Sequence, residues 1–497
     1  MTTIAVPRIV WLVLAECLIA ARPAVADEGR PNVVVILCDD LGYGDLGCYG
    51  HPYIRTPNLD RLAAEGIRFT SFYSAAPVCS PSRVGLLTGR SPNRAGIYDW
   101  IPEVKAGQAD GAQVDAKLPA DARDLVHLRR HEVTLPQLLR DAGYATCMAG
   151  KWHCNSMFNS AAQPQPGDAG FDHWMATQNN AAPSHENPRN FVRNGQPVGE
   201  TAGFSCQLVV DEAASWLEQQ TSSHPKQPFF MYLAFHEPHE PVASPPELVE
   251  KYSAVAFEEG QAQFFANVHN IDLAVGRLLE QLSRLNVRDN TLIVFSSDNG
   301  PETLRRYKGG GRSWGRTGIL RGVKLHTHDG GFHVVGIMNW PGGIKTPIVE
   351  RNAASSLDLL PTVCQLAGTT VPPDRKLDGI SLVPLLMSGK LPERPKPLVW
   401  AYYNAINDAR VAMRHGSWKV LARLNSGEFP RYENLNSERL EQAREAHLTD
   451  FEIYELNEDP GETLNLAGRD LENGAELKAL LSSEYHKLAG DSFGWER

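Results

Sequence analysis

The stretch Val33-Val34-Val35-Ile36-Leu37-Cys38-Asp39-Asp40 joins a short apolar run to two carboxylates. Two later stretches repeat this arrangement, with Phe229 to Ala234 ahead of His236 and Leu292 to Phe295 ahead of Asp298-Asn299. Short apolar runs of this kind are typical of strands buried on both faces of a parallel sheet. Open α/β sheets bind ligands beyond the carboxyl ends of their strands, so the polar residues after each run are candidate functional groups.

Helical patterns lie between these runs, and the alternating order predicts an α/β fold, a layered domain around a central, mostly parallel sheet. Three prolines and several charges between residues 389 and 397 predict a domain boundary. Beyond it, short apolar runs predict an antiparallel sheet and a closing helix, which together form a smaller α+β subdomain. The predicted helices cover residues 58–64, 135–142, 208–218, 265–285 and 473–488, and the predicted C-terminal strands cover residues 398–403, 411–413 and 418–421.

The first residues have the pattern of an export signal. Arg8 precedes an apolar run from Ile9 to Ala20, and Ala24-Val25-Ala26 offers a cleavage site of small residues. The run is short for a bilayer span, which disfavours the alternative, a stable membrane anchor. We therefore expect a signal peptide at residues 1–26, a catalytic domain at 27–392 and a C-terminal subdomain at 393–497.

Composition narrows the class of protein further. The 497-residue chain has a formal net charge of -10 at pH 7, which gives no sign of a nucleic-acid surface. Seven cysteines follow residue 26, which permits disulfides in an oxidising compartment, and no CxxC pair suggests a zinc or redox site. The absence of an Asn-x-Ser/Thr acceptor favours a bacterial source, so we expect an exported protein, periplasmic or secreted.

Two pairs of oxygen ligands end two of the predicted strands, Asp39-Asp40 and Asp298-Asn299. For either pair alone, a turn or a helix cap is the simpler interpretation. Together, three carboxylates and one amide with no soft ligand suit a hard divalent cation. Calcium is favoured over magnesium because irregular all-oxygen sites suit its flexible coordination.

One cysteine lies four residues ahead of an arginine at a predicted loop-to-helix junction, in Pro77-Val78-Cys79-Ser80-Pro81-Ser82-Arg83-Val84-Gly85-Leu86-Leu87-Thr88-Gly89. The spacing excludes a protein phosphatase with a cysteine nucleophile, which needs five residues between the two to wrap a phosphate. The alternative is that Cys79 has no function and is a buried, inert thiol.

Three further segments carry candidate polar groups. In the first, residues 143–153, Lys151 and His153 follow a short β-like run. The second, His236-Glu237-Pro238-His239-Glu240-Pro241, follows an apolar strand. In the third, Lys324 lies five residues ahead of Asp329. A lone Lys-x-His would most often be a solvated loop, and either histidine of the second segment could be packed rather than functional.

Taken together, these segments resemble the motifs of the type I sulfatases, formylglycine-dependent enzymes of the alkaline-phosphatase superfamily. The resemblance covers residues 31–386 and is strongest to the arylsulfatase and N-acetylgalactosamine-6-sulfatase group. Tyr454 to Pro460 also resembles the family's C-terminal region. Two positions depart from the family pattern, because it usually has Glu where Asp329 stands and commonly Arg where His333 stands.

The resemblance implies an alkaline-phosphatase-like fold and a mechanism. A formylglycine-generating enzyme would convert Cys79 to formylglycine, whose hydrate, acidified by the metal and Arg83, attacks sulfur and also places residue 79 among the metal ligands. His153 would deprotonate the second hydroxyl and so release sulfate. By the same implication, Lys151 and Lys324 would hold the sulfate oxygens, and His239, with His236 as the alternative, would protonate the leaving alcohol.

We therefore expect a hydrolase of sulfate monoesters, with a sulfated carbohydrate such as a glycosaminoglycan, or an aryl sulfate, as substrate. The polar stretches at residues 103–130 and 163–199 are candidates for substrate selection, although solvated insertions are an equal alternative. Two other functions stay open: a phosphate or phosphonate monoester hydrolase of the same superfamily, and a non-catalytic glycan-binding relative in which Cys79 is unmodified.

Overall fold

The computed structural model describes residues 29–104, 123–306 and 310–496. The predicted signal peptide lies outside the described residues, as does most of the first candidate selection loop. Two sheets organise the described chain. The first sheet contains β1 Asn32–Asp39, β2 Ile67–Tyr73, β3 Ala145–Lys151, β4 His173–Thr177, β5 Val192–Arg193, β6 Gln196–Pro197, β7 Phe229–Pro238, β8 Thr291–Ser297, β9 His333–Asn339, β10 Ile348–Glu350 and β11 Ala354–Ser355, and the second contains β12 Leu398–Ala401, β13 Val411–His415, β14 Trp418–Leu424 and β15 Leu448–Glu455.

The first sheet has the strand order β10-β2-β9-β8-β1-β7-β3-β4-β5-β6, with β11 beside β2. Its central strands β8, β1, β7, β3 and β4 run parallel to one another. Strand β9 is antiparallel to both β8 and β2. Because β1 lies between β7 and β8, the carboxyl ends of all three strands meet at one edge of the sheet.

Strand β1 shows why its sequence is continuously apolar. Val33, Val35 and Leu37 pack into one hydrophobic cluster and Val34 and Ile36 into another, so both faces of the strand are covered. Alternate side chains point to opposite faces of a sheet, and burial of each such side chain stabilises the fold by about 1.5–3 kcal/mol.

Helices cover both faces of the first sheet, with α5 and α7 packed against each other and against β7. Thr134 begins α4 with a capping box, in which its side chain and that of Gln137 each bind the other residue's backbone amide. The α-helices are α1 Pro57–Ala64, α2 Cys79–Thr88, α3 Pro92–Ala95, α4 Leu135–Asp141, α5 Ser205–Ser223, α6 Pro246–Tyr252, α7 Glu259–Arg284, α8 Asp329–Phe332, α9 Leu359–Ala367, α10 Val383–Ser388, α11 Ser437–Glu445 and α12 Gly474–Gly490, and short 3-10 helices cover Gly47–Tyr49, Arg123–Leu125, Gly310–Arg312, Ser356–Asp358 and Asn425–Gly427.

The second sheet is antiparallel throughout and has the order β12-β13-β14-β15. Helices α11 and α12 pack with it around a separate hydrophobic cluster that includes Val420, Ile453 and Tyr485. The predicted α/β fold class, with a mostly parallel central sheet and an additional antiparallel C-terminal sheet, is confirmed. The boundary at residues 392–393 stays a prediction.

Two further features of the described residues concern disulfide bonds and membrane-spanning helices. The seven cysteines in these ranges are all unpaired, so none of the permitted disulfides is present there. Within the same ranges, no helix combines the length and the apolar composition needed to cross a bilayer.

Candidate active site

The two predicted ligand pairs lie side by side at the carboxyl edge of the first sheet. Asp39 ends β1 and Asp40 follows it in the left-handed conformation, with φ of 63°, which aspartate tolerates better than most residues. The amide of Asp40 donates to Asp298 Oδ1 at 3.3 Å, and Asn299 Nδ2 donates to Asp40 Oδ1 at 2.7 Å. The strand ends therefore bring together the four oxygen-bearing side chains that the sequence singled out.

This group of oxygens has the properties of a cation site. Asp39 Oδ1 and Asn299 Oδ1 are buried and lack a hydrogen-bond partner among the described residues. Asp39, Asp40 and His239 each offer a ligand atom within 4.8 Å of the others. Burial and the neighbouring Asp39 raise the pKa of Asp298 to about 7, against the opposing charge of Arg83. Unpartnered oxygens and crowded carboxylates fit a hard cation such as calcium or magnesium.

Cys79 is the first residue of α2 and has 3% of its surface exposed. Burial raises the pKa of its thiol to about 11, although Lys151 and Lys324 act in the opposite direction. The reactive form of cysteine is the thiolate, so an unmodified thiol at this position would be a poor nucleophile at neutral pH.

Arg83 lies one helical turn after Cys79, on the same face of α2. Its Nε and Nη2 both donate to Asp298 Oδ2, at 2.9 and 2.7 Å, and its Nη1 donates to the carbonyl of Lys151 at 3.0 Å. Nη2 also lies 3.8 Å from Asp39 Oδ1. These bonds connect the helix that carries residue 79 to the ends of β1, β3 and β8.

Lys151 ends β3 and donates to Asp39 Oδ2 at 2.5 Å, with both side chains fully buried. The preceding Gly150 allows β3 to approach β7 closely, because a Cβ there would lie 1.9 Å from the carbonyl oxygen of Ala234. Burial alone would raise the pKa of Asp39, but Lys151 and the other neighbouring cations outweigh it and hold the pKa well below its usual value.

His153 follows β3 in the left-handed conformation, with φ of 51°. Its Nε2 lies 3.0 Å from the carbonyl of Ile101, and since a carbonyl can only accept, this bond assigns the ring hydrogen to Nε2. Nδ1 is buried and has no partner among the described residues. Burial, with Lys151 and Arg83, lowers the pKa of His153 well below its usual value, so the ring is neutral and can accept a proton.

The two candidate histidines of the β7 segment have different surroundings. His239 lines the cavity described below, with Nδ1 2.7 Å from the carbonyl of Glu240 and Nε2 3.5 Å from Asp40 Oδ2. His236 lies within β7, where its Nε2 is 2.8 Å from the hydroxyl of Thr177. Only His239 of these two is in the cavity lining among the described residues.

Lys324 binds both oxygens of Asp40, at 2.7 and 2.8 Å, and also lines the cavity. The two departures from the family pattern lie in a buried network behind it. Asp329 Oδ2 accepts from the Tyr73 hydroxyl at 2.9 Å and lies 3.1 Å from His333 Nδ1, and Asp329 Oδ1 accepts from Lys419 at 2.5 Å. Neither Asp329 nor His333 is in the cavity lining.

A cavity of about 1170 Å³ opens above these groups. Cys79, His153, His239 and Lys324 contribute to its wall, whereas Asp39, Asp298 and Arg83 are buried behind it. The remaining lining comes from residues that had no predicted role in the reaction. They are Val78, Asp99, Trp100, Asn179, Asn180, Glu240, Pro241, Arg306, Leu325, Asn404, Arg431, Tyr432, Glu433 and Arg439.

Part of this additional lining could be anticipated from the sequence and part could not. Asn179 and Asn180 belong to the polar stretch at residues 163–199, which was a candidate for substrate selection. Asn404 and Arg431 come from the C-terminal region, where no motif pointed to the site. Their position depends on how the second sheet packs against the first, which the sequence pattern does not reveal.

Comparisons with known proteins identify the family of the chain. A family model described as Sulfatase matches residues 31–369. The chain is 34% identical to arylsulfatase A of Homo sapiens over 497 residues, covering 93% of this chain and 87% of the relative. It is 36% identical to N-acetylgalactosamine-6-sulfatase of Sus scrofa over 402 residues, covering 78% of this chain and 71% of that relative.

Among solved structures, the complex of Ps i-CgsB with k-i-k-neocarrahexaose superposes with a TM-score of 0.73 at 25% identity, covering 93% of this chain and 94% of the other. The fold of a Bacteroides thetaiotaomicron protein from a study of glycosaminoglycan metabolism is also similar, with a TM-score of 0.68 at 24% identity, covering 92% of this chain and 99% of the other. The match to the Sulfatase model and the identity to curated sulfatases over most of the chain show that this protein belongs to the sulfatase family and is an enzyme of the sulfuric ester hydrolase class.

Proposed function

We propose that this enzyme hydrolyses sulfate monoesters of carbohydrates, with a formylglycine made from Cys79 by a formylglycine-generating enzyme. The observation that carries the proposal is the position of Cys79, which opens α2 in the wall of the same cavity as His153, His239 and Lys324. When present, the formylglycine hydrate supplies a nucleophilic oxygen and a second hydroxyl that allows sulfate to leave. The neutral, buried thiol does not supply these groups.

The remaining residues have roles that follow from their charges. The ammonium groups of Lys151 and Lys324 would hold the sulfate oxygens, where a concentrated positive charge stabilises the charge that develops in the transition state. Both already bind buried carboxylates at the edge of the sheet, Asp39 and Asp40 respectively, so their positions are fixed before substrate arrives. Arg83 would keep residue 79 in place through its bonds to the ends of β3 and β8.

The two cavity histidines suit opposite ends of the reaction. His153 is neutral and has a lone pair on Nδ1, which suits a base that takes a proton from residue 79. The carbonyl of Glu240 fixes a hydrogen on His239 Nδ1, so Nε2 can donate to the leaving alcohol only in the imidazolium form. Burial lowers the pKa of His239, and the neighbouring Asp40 opposes this effect and would stabilise that form. We assign the acid role to His239 rather than His236 because the latter bonds Thr177 outside the cavity lining.

A divalent cation would be held by Asp39, Asp40, Asp298 and Asn299, together with residue 79 once it is converted. We propose calcium rather than magnesium, because carboxylate and amide oxygens in an irregular arrangement suit the more flexible ion. The cation would supply Lewis-acid stabilisation of the sulfate oxygens and would relieve the repulsion among the buried carboxylates. The unpartnered oxygens of Asp39 and Asn299 support this assignment.

A carbohydrate substrate is supported by the size of the cavity and by the relatives. A volume of about 1170 Å³ exceeds what a sulfate group needs and can hold at least one sugar ring. The curated relatives include N-acetylgalactosamine-6-sulfatase, and the solved neighbour Ps i-CgsB has k-i-k-neocarrahexaose as its ligand. We expect the enzyme to act after export, in the periplasm or outside the cell, where such polymers occur.

The experiment compares rates on an aryl sulfate and on the matching aryl phosphate, with enzyme produced alongside a formylglycine-generating enzyme. We expect the sulfate to be hydrolysed faster, and Cys79→Ala to abolish turnover of both. A faster rate on the phosphate would support the phosphate monoester hydrolase alternative. No turnover of either ester, together with a Cys79 that stays an intact thiol in this preparation, would support the non-catalytic glycan-binding alternative.

A further inference from the structure

The cavity lining includes basic side chains beyond the groups assigned to the scissile sulfate. Arg306, Arg431 and Arg439 all contribute to its wall, and none belongs to a motif of the reaction. Together with Lys324 they give four Arg or Lys side chains among the described lining residues, against three carboxylates. Three arginines in one cavity provide local positive charges for anions in a chain whose net charge is -10.

Arg431 is held in position by neutral groups. Its Nε donates to the side-chain oxygen of Asn404 at 3.1 Å, and its Nη2 donates to the backbone carbonyl of the same residue at 2.7 Å. Among the residues that the structure describes, Arg431 forms no ion pair with a carboxylate within 4.0 Å. Its guanidinium is therefore held by the neutral groups of Asn404.

The support for Arg431 extends into the protein interior. Asn404 Nδ2 donates to Asp99 Oδ2 at 2.7 Å, and Asp99 is only 3% exposed. Asp99 Oδ1 accepts from the Tyr402 hydroxyl at 3.1 Å and from the Trp100 amide at 2.7 Å. This chain of bonds fixes the amide of Asn404, which in turn fixes the guanidinium, so the ordering cost of binding a ligand at Arg431 is already reduced.

Aromatic surface lies in the same part of the wall. Trp100 is 40% exposed, and Tyr432, the neighbour of Arg431, also lines the cavity. Aromatic rings offer a rigid apolar surface that suits the C–H face of a sugar, whereas a planar guanidinium suits a carboxylate or a sulfate group with two parallel hydrogen bonds. The combination suits an acidic sugar better than a neutral aryl group.

We propose that Arg431 binds a second acidic group of the substrate, a carboxylate or a sulfate other than the one that is cleaved. The preferred substrate is then a saccharide with at least two negative charges. This inference rests on the proposed sulfatase function and adds a specificity-determining residue to it. Asn404 is a positioning residue for Arg431, and Asp99 positions Asn404.

The test compares Arg431→Gln with the unchanged enzyme on four substrates. An aryl sulfate and a monosulfated neutral hexose have one charge, a disulfated hexosamine has a second sulfate, and a monosulfated disaccharide with a uronic acid has a carboxylate. We expect kcat/KM to fall about 10–100-fold on one or both doubly charged substrates, because a charge-assisted hydrogen bond is lost. On the singly charged substrates kcat/KM should change less than about threefold, because these substrates have no second anionic group for Arg431 to bind.

Two further variants sharpen this comparison. Arg431→Lys keeps the charge but loses the fork of donors, so it should recover part of the loss. Arg423→Gln is the matched control, because Arg423 is in the same C-terminal region but pairs with Asp408 outside the cavity lining. A lower kcat/KM on the disulfated hexosamine identifies the second group as a sulfate. A lower kcat/KM on the uronic acid disaccharide identifies it as a carboxylate.

A binding measurement separates this proposal from the proposed function. In a Cys79→Ala background, the dissociation constant for the disulfated hexosamine and for the uronic acid disaccharide is measured with and without Arg431→Gln. Weaker binding of either supports the anion site even if no sulfate ester is turned over. An equal loss on all four substrates, or unchanged binding of both doubly charged ligands, would overturn it.

Discussion

Arg83 and Asp298 form a fully buried ion pair, in which two guanidinium nitrogens donate to the same carboxylate oxygen at 2.9 and 2.7 Å. The pair joins the first turns of α2 to the end of β8. It thereby places residue 79, one turn before Arg83, next to the carboxylates at the edge of the sheet. The same carboxylate is a proposed cation ligand, so the position of the nucleophile and the position of the cation depend on one side chain.

Removal of one member of this pair should destabilise the fold. Asp298→Asn weakens two charge-assisted hydrogen bonds to the guanidinium and leaves Asp39, 3.8 Å away, as its counter-charge. We expect the free energy of unfolding in urea, measured with a chelator present, to fall by about 1.5–3 kcal/mol. Asp211→Asn is the matched control, because it breaks an exposed pair with Arg277 that should contribute at most about 1 kcal/mol. Equal effects of the two substitutions would contradict the structural role given to the buried pair.

Loss of the cavity groups should reduce turnover without unfolding the protein. We expect Lys324→Ala and His239→Ala each to lower kcat on an activated aryl sulfate by about 10²–10⁴-fold, because they remove charge stabilisation and proton donation respectively. Lys345→Ala is the control, since Lys345 is exposed and bonds only a nearby carbonyl. Unchanged turnover in either cavity variant, with circular dichroism as a check of folding, would remove that residue from the proposed mechanism.

A bound cation should stabilise the protein through the oxygens at the sheet edge. Calcium added at about a hundredfold excess over its dissociation constant should increase the free energy of unfolding by about 3 kcal/mol and raise Tm. Asp40→Asn should lose most of this increase, whereas Asp211→Asn should retain it. Calcium that stabilises the Asp40→Asn variant as strongly as the unchanged protein would place the ion elsewhere.

One acidic residue outside the site makes stability depend on pH. Burial would raise the pKa of Glu212, but hydrogen bonds from His173 and Arg193 outweigh it and lower the pKa to about 2. A lowered pKa means that the stabilisation is complete above the ordinary value of 4.5 and disappears as the pH falls from there to about 2.

We therefore expect Glu212→Gln to cost about 1 kcal/mol at pH 7, a value reduced from the full shift because the group is partly solvated. The difference between the variant and the unchanged protein in urea unfolding should shrink as the pH falls below 4.5. A difference that stays constant from pH 7 to pH 3 would show that the network contributes through packing rather than charge.

The central strands and the ligand pairs could be predicted from the sequence because their signals are local. Strand β1 is buried on both faces, so its residues are apolar without alternation, and Asp39 and Asp40 follow it directly. Parallel neighbours in the sheet then bring Asp298 to the same edge. The convergence of these groups follows from the α/β architecture and needed no knowledge of side-chain contacts.

The substrate-binding wall could not be predicted in this way. Asp99 and Asn404 are 305 positions apart, and their bond requires the segment after β12 to pack against the segment after α3. The sequence likewise left His236 and His239 as alternatives, since both follow the same apolar run. In the structure, His236 lies near the end of β7 and is bonded to Thr177, whereas His239 lies just after β7 and faces Asp40.

The chemical state of residue 79 decides whether the enzyme works through formylglycine. The tryptic peptide from Phe69 to Arg83 is analysed by mass spectrometry in enzyme preparations with different degrees of conversion, and the activity of each on an aryl sulfate is measured. We expect a peptide with the mass deficit of an aldehyde in place of the thiol, and an activity proportional to the converted fraction. Full activity in a preparation whose peptide retains an intact Cys79 thiol would show that catalysis does not need formylglycine.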